Sequence, residues 1–170
     1  RAGCPALPVM DSVGLLSDVF RLADDSMRGR HLGSLEGAKA RDYLAARFDA
    51  LGIATIAPGR LHRVPVIPAP RNNNVDHAFN VIGVVRGTVQ PEQYIVITAH
   101  YDHVGIGRVV DGDSLYNGAD DNASGAAALV TLARHFQQAR PRHSIVFAAV
   151  DGEERGLPGS RGFVDAPTVP

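Results

Sequence analysis

The chain has 170 residues, of which 45% are hydrophobic and 21% charged. These fractions suit one globular domain and exclude a disordered or fibrous chain. Lys and Arg total 17 against 18 Asp and Glu, a net charge of -1, so charge gives no reason to expect binding to nucleic acid or anionic lipid. The single cysteine, Cys4, excludes an internal disulfide and a cysteine-built zinc site. No apolar run is long enough to span a bilayer.

The first third of the chain predicts two helices. Apolar residues recur at helical spacing between Asp11 and Asp24, and Asp11 is the expected N-cap. A second helix is predicted from Ser34 to Leu51, with Glu36 in its first turn and Gly52 ending it. Each of these helices needs a sheet or another helix to cover its apolar face.

Glycine, proline and polar residues predict three loops in the chain. The segment Met27–Gly33 contains two glycines, and we expect its arginines, Arg28 and Arg30, to be solvated. The segment Ile67–His77 is turn-rich and polar. Between Val104 and Asn117 lie three glycines and two aspartates with little periodicity, which favours a loop over an active site.

Short apolar runs predict the strands of an α/β sheet. The predicted strands are one or two within 53–66 and one each at 80–85, 94–99 and 144–150, with helices at 123–139 and 156–164. The strands at 80–85 and 94–99 are expected to be neighbours. Those at 94–99 and 144–150 are joined by one helix, which predicts a parallel pair.

Three polar turns border these apolar segments. They are H-Y-D-H at 100–103, G-A-D-D-N-A-S-G at 118–125 and D-G-E-E at 151–154. Two of them directly follow strands, and ligands collect at the carboxyl ends of strands in open α/β sheets. Imidazole and carboxylate groups meeting at that edge predict a site for a divalent cation.

Each turn taken alone also has a simpler interpretation. His100 is a good ligand and Asp102 could hold its other ring nitrogen, but H-x-D taken alone is more often a plain surface pair. Asp120, Asp121 or Asn122 could cap the following helix, although a cap accounts for at most one of the two carboxylates. The pair Glu153 and Glu154 could be solvated, or one could bind a metal while the other acts as a base.

The three motifs, taken together and in this order, resemble a known family. H-Y-D-H-V-G, Y-N-G-A-D-D-N-A-S-G and F-A-A-V-D-G-E-E-R-G-L-P-G-S-R resemble the bacterial di-zinc aminopeptidases related to leucyl aminopeptidase and glutamate carboxypeptidase. The resemblance is dense from Phe79 to Val164. It implies a three-layer α/β/α zinc-exopeptidase fold with a mixed central sheet, of which residues 1–170 would be the N-terminal portion of a single catalytic domain.

The resemblance also implies a role for each motif residue. His100 would bind one zinc ion, Asp102 would orient it, Asp121 would bridge two zinc ions and Glu154 would bind the second. Glu153 would be the general base for a water shared by the ions. The peptide bond after Asp121 is expected to be cis.

In this family two further ligands, an acidic residue and a histidine, are expected beyond Pro170. Asp165 is not expected to replace either of them. The implied reaction is zinc-dependent removal of the N-terminal amino acid from a peptide with a free N-terminus, by a periplasmic or extracellular enzyme.

Several alternatives remain at this stage. A carboxypeptidase or a one-zinc glutaminyl cyclase would use the same fold, and a non-catalytic binding relative would keep the fold without the reaction. His103 lies close to the predicted site without an obvious partner in the sequence.

Overall fold

The computed structural model describes residues 9–56 and 59–170, so the prediction about Cys4, and part of the strand prediction for 53–66, lie outside the described residues. Four helices are present in these ranges: α1 (Ser12–Leu22), α2 (Leu35–Ala50), α3 (Ser124–Ala139) and α4 (Pro158–Asp165). The strands are β1 (Leu61–Pro65), β2 (His77–Val85), β3 (Gln90–His100), β4 (Gly105–Val110), β5 (Asp113–Tyr116) and β6 (His143–Val150). None of the described helices has both the length and the apolar character that a bilayer crossing requires.

Local sequence signals set both ends of the first two helices. The Asp11 side chain accepts a hydrogen bond from Gly14 N at the start of α1, and Ser34 accepts one from Gly37 N at the start of α2. These bonds satisfy backbone donors that have no partner inside the helix. Gly52, with φ of 66°, follows the end of α2. Both predicted helices are therefore confirmed, including their caps.

Four strands form one mixed sheet in the order β1-β2-β6-β3. Strands β1 and β2 are antiparallel, β2 and β6 are antiparallel, and β6 and β3 are parallel. The parallel pair was predicted correctly. The expected pairing of β2 with β3 is wrong, because β6 comes back between them after helix α3.

Side chains alternate between the two faces of this sheet. On one face Val81, Phe147 and Ala149 pack in a core shared with α1, α2 and α3. On the other, Ile82 and Val146 pack in a second core that includes Phe163 of α4. The result is the α/β/α layering with a mixed sheet that the resemblance implied.

Two predicted loops have regular structure instead. Residues Asp25–Arg30 form 3-10 turns interrupted by a kink at Arg28 and Gly29, whose φ values are positive, and Arg30 is fully buried rather than solvated. The predicted loop at 104–117 contains the antiparallel hairpin of β4 and β5. These strands were not predicted because the glycines and aspartates of the segment interrupt the alternation of apolar and polar residues that identifies a strand.

Candidate metal centre

The parallel pair β3 and β6 brings the first and third polar turns together. His100 is in register with Val150, and Tyr101 N donates to Val150 O at 3.1 Å. Both strands therefore end at the same edge of the sheet. The turn after β3 and the turn after β6 consequently begin side by side, as the sequence predicted.

Asp102 joins these two turns. Its carboxylate, which is fully buried, accepts hydrogen bonds from Glu153 N at 2.9 Å and from Glu154 N at 3.2 Å. Hydrogen bonds to an ionised carboxylate are stronger than neutral ones. Asp102 therefore fixes the backbone from which both glutamate side chains project.

The orientation of His100 depends on two oxygens of Asp102. Nδ1 of His100 is 3.1 Å from the backbone carbonyl oxygen of Asp102 and 3.6 Å from its carboxylate Oδ1. The shorter contact is thus to the main-chain oxygen, and the carboxylate is the next nearest acceptor. Either oxygen leaves Nε2 of the ring available to bind a metal ion.

The second polar turn supplies Asp121 from the start of α3. Gly118 has a left-handed φ of 61°, and the Asp121-Asn122 peptide bond is cis, as expected. Asn122 Oδ1 accepts from Gly125 N at 3.0 Å. The capping bond at the start of α3 is therefore made by Asn122, one of the three residues that the sequence offered for it, and not by Asp120 or Asp121.

The side chains from the three turns converge. His100 Nε2 is 3.0 Å from Asp121 Oδ1, and His103 Nδ1 is 2.7 Å from Glu154 Oε1 and 3.8 Å from Asp121 Oδ2. Ligand atoms of His103, Asp121 and Glu154 all lie within 4.8 Å of one another. Two of the predicted metal-binding residues, Asp121 and Glu154, are therefore in this group, and the third, His100, adjoins it through Asp121.

His103 is the member of this cluster whose role the sequence did not reveal. Its partner, Glu154, is 51 residues away in the chain. The available signal was its place in H-Y-D-H, immediately after a strand that was predicted to be parallel to the strand before D-G-E-E. That arrangement places His103 beside Glu154 once the strand register is known.

The charges in the cluster act on His100. Burial lowers the pKa of its imidazole, but a hydrogen bond and the charge from Asp102, together with the charge of Glu153, raise it to about 9. In the metal-free protein the ring is therefore a cation at neutral pH. A metal ion would displace this proton on binding and would take over the neutralisation of the carboxylates.

The donor atoms at this edge fit a zinc ion. Imidazole nitrogens and carboxylate oxygens are usual zinc ligands, and the cluster has both within a few ångströms. The carboxylates repel one another unless a cation compensates them. His100, Asp121 and Glu154 would hold the metal, and His103 is close enough to bind it or to orient Glu154.

Glu153 and Asp165 differ in their relation to the cluster. Glu153 is half-buried, and its backbone is held by Asp102 next to Glu154. Asp165 is exposed at the end of α4 and lines a separate cavity with Arg71 and Arg161. The structure thus does not bring Asp165 into the cluster, in agreement with the sequence analysis.

Comparison with known proteins identifies the family. The sequence profile of Peptidase family M28 matches residues 80–169, which include all three turns. The chain belongs to peptidase family M28. A probable zinc metalloprotease of Pyricularia oryzae is 38% identical over 125 residues, which are 71% of this chain and 24% of that protein.

Solved structures of M28-like fold include more than one activity. A leucine aminopeptidase precursor from Bacteroides thetaiotaomicron has a TM-score of 0.74, and a glutaminyl cyclase from the same organism has 0.72; both are 22% identical to this chain. The chain covers 59% of each and itself matches over 96% of its length. It therefore spans about three fifths of these structures and about a quarter of the fungal relative.

These comparisons confirm the zinc-exopeptidase resemblance and the fold. They do not extend to the bacterial origin, which stays a prediction because the curated relative above is fungal. The fold also does not choose between peptide hydrolysis and cyclisation, since both names occur at nearly equal TM-scores. The choice has to come from the residues of the site.

Proposed function

We propose that the complete protein is a zinc-dependent aminopeptidase that removes N-terminal residues from peptides with a free N-terminus. The observation on which this rests is that Asp121 contacts His100 and also lies in one group with His103 and Glu154, while Asp102 holds Glu153 next to Glu154. The site combines two acidic metal ligands and one histidine ligand with a further carboxylate, that of Glu153, which is not needed as a ligand. Hydrolysis needs such a carboxylate to accept and return a proton.

Zinc in this cluster would polarise the scissile carbonyl and make a water molecule easier to deprotonate. Glu153 takes a proton from the attacking water while the oxygen of that water bonds to the carbonyl carbon. It then donates that proton to the leaving amine as the carbon–nitrogen bond breaks. The role of Asp102 is to hold Glu153 N and Glu154 N, so that the base and the ligand keep a fixed separation.

Two zinc ions are proposed, with Asp121 between them. In support, Asp121 has one carboxylate oxygen 3.0 Å from His100 Nε2 and the other 3.8 Å from His103 Nδ1, beside Glu154. Its two oxygens thus face two different groups of ligands. This is the arrangement that a bridging carboxylate requires.

The domain assignment is also a proposal. Residues 1–170 would be the N-terminal portion of one catalytic domain whose later strands pair with β3. Strand β3 is at the edge of the sheet and leaves Ile95 and Val96 about half exposed. An exposed apolar edge strand is a ready template for another strand, and the chain covers only 59% of its structural neighbours.

Glutaminyl cyclase is the second candidate, because a structural neighbour carries that name. The two reactions differ in product mass when the substrate is a peptide that begins with glutamine. An aminopeptidase releases free glutamine and a peptide shortened by one residue. A cyclase releases ammonia and keeps the full number of residues, so mass spectrometry of the products distinguishes the proposals.

A carboxypeptidase would instead shorten the peptide from its other end, and a non-catalytic relative would leave the peptide unchanged. The same assay therefore separates all four candidates. The product assay requires the full-length protein that contains these residues. Export to the periplasm or the medium is proposed as well, and fractionation of the producing cells would test it.

A further inference from the structure

The guanidinium of Arg30 lies inside the protein without a carboxylate partner among the described residues. The side chain is fully buried. Burial lowers its pKa, but the charges of Asp102 and Asp121 oppose this and leave the pKa at about 10, so the group stays charged at neutral pH. Burying a charge is costly unless hydrogen bonds compensate it. The contacts that stabilise this charge therefore indicate what the residue does.

Four backbone carbonyl oxygens accept hydrogen bonds from Arg30. Nε donates to Tyr101 O at 2.8 Å, Nη1 to Leu22 O at 2.6 Å and to Asn117 O at 2.7 Å, and Nη2 to Gly118 O at 2.9 Å. In addition, the carbonyl oxygen of Arg30 accepts from His103 N at 3.4 Å. Four of the five guanidinium protons are thus used on fixed main-chain groups.

These carbonyls belong to the segments that present the metal-binding residues. Tyr101 lies between His100 and Asp102 in the first turn. Asn117 and Gly118 begin the turn that ends at Asp121, and Gly118 O also accepts from Ala123 N at 3.0 Å. One planar group therefore connects two of the three turns of the metal centre and links both to the end of α1.

The backbone around Arg30 is adapted to this contact. Arg28, Gly29 and Arg30 have positive φ values of 42°, 67° and 48°, and such values are unfavourable for residues with a side chain. A Cβ on Gly29 would lie 2.4 Å from Tyr116 O and 2.7 Å from the Cα of Gly105. The segment is thus pressed against the β4–β5 hairpin, in a conformation that directs Arg30 inward.

We infer that Arg30 is a positioning residue of the metal centre, which sets the separation between His100 in the first turn and Asp121 in the second. Lysine cannot replace it, because an ammonium is compact and cannot reach carbonyls on both sides of a planar fork. The inference rests on the proposed zinc site. It adds a residue that touches no ligand atom but determines where two ligands stand.

The test compares two arginine-to-lysine variants of the full-length protein. Arg60 is the matched control, since it donates to Ile53 O at 2.6 Å, Ile82 O at 3.0 Å and Ala54 O at 3.2 Å, none of which lies in a metal-binding turn. Zinc affinity is measured by competition with a chromogenic chelator. Arg30→Lys should lower it by roughly 10- to 100-fold, the usual effect of losing a group that orients a ligand, while Arg60→Lys leaves it unchanged.

Folding is checked by urea unfolding of the metal-free variants. Arg30→Lys with native-like unfolding and wild-type zinc affinity overturns the inference while leaving the proposed function intact. Absence of zinc binding by the wild type overturns the proposed function instead. The two failures are therefore distinguishable.

Hydrogen exchange on the wild type gives a second measurement that needs no variant. The amides of His103 and Ala123 are in different turns, but each is hydrogen-bonded to Arg30 or to a carbonyl that Arg30 holds. If Arg30 connects the turns, both amides should open with the same dependence on denaturant. Independent opening of the two would contradict the inference, even where Arg30→Lys fails to fold.

Discussion

Nδ1 of His103 lies 2.7 Å from Oε1 of Glu154, across the gap between the turns that follow β3 and β6. This contact joins a histidine to a predicted metal ligand. It fixes the rotamer of Glu154 on the side facing Asp121, whose Oδ2 is 3.8 Å from the same nitrogen.

Replacement of His103 by alanine should weaken zinc binding without preventing folding. Glu154 would lose the group that orients it, or the ion would lose a ligand, and affinity should fall by about 10- to 100-fold. His143→Ala is the control, because His143 begins β6 at the opposite end of the strand. Equal affinities of the two variants, measured by chelator competition, would show that His103 has no part in the centre.

The doublet Asp120-Asp121 offers a matched pair of substitutions. Both aspartates are exposed, but the Asp121 side chain contacts His100, whereas Asp120 accepts a hydrogen bond from Ser124 Oγ through its backbone oxygen. Asp121→Asn should reduce the number of zinc ions retained on dialysis, and Asp120→Asn should not. Elemental analysis of the dialysed full-length proteins measures this directly. Equal zinc content in both variants would exclude the bridging role of Asp121.

If Glu153 is the base, its replacement should reduce hydrolysis without reducing zinc binding. Glu153→Gln keeps the size and the backbone contacts of the residue but cannot accept the proton. Hydrolysis should fall by at least about 100-fold, the lower range for loss of a general base, while zinc content stays at the wild-type value. Substantial activity in a fully metallated variant would assign the base to another group.

Asp151 predicts a pH dependence of stability. Burial, followed by the negative charge of Asp102, raises the pKa of this carboxyl to about 7, against about 4 in an unfolded chain. Between these values the folded state holds a proton that the unfolded state has released. The free energy of unfolding should therefore decrease as pH rises from about 4 to about 7, and the loss is complete above the folded pKa.

Asp151→Asn removes this titration. Urea unfolding of the metal-free full-length proteins at several pH values measures the difference between variant and wild type. The variant should gain relative stability steadily from about pH 4 to about pH 7 and no further above it. Parallel curves for the two proteins over that interval would mean that Asp151 is not buried as a neutral acid.

The sequence predicted those features that depend on nearby residues. Asp11 and Ser34 cap helices through bonds three residues away, and a helix between β3 and β6 leaves little choice but a parallel pair. The order of the strands could not be predicted in this way, because β6, which follows α3 in the chain, lies between β2 and β3. The residues of β2 and β3 carry no local signal that β6 will pair with both of them.

Within the site, the motif residues could be predicted, including Asp102 as a support, but the contribution of Arg30 could not. His100, Asp121 and Glu154 are in recognisable turns. Arg30 acts on carbonyls that are 71, 87 and 88 residues away, as well as on Leu22 O. Arg30 is buried because these distant segments pack around it in the folded chain. From sequence alone, an arginine in a glycine-containing loop is expected to be exposed to solvent.

The most direct test of the central claim uses the complete gene product and two peptides that differ in one group. An unblocked leucyl peptide and its N-acetylated form are incubated with the enzyme, before and after treatment with a chelator and again after zinc is restored. The account predicts release of leucine from the unblocked peptide alone, lost with the chelator and recovered with zinc. No cleavage of either peptide by the fully metallated protein would contradict the proposed aminopeptidase.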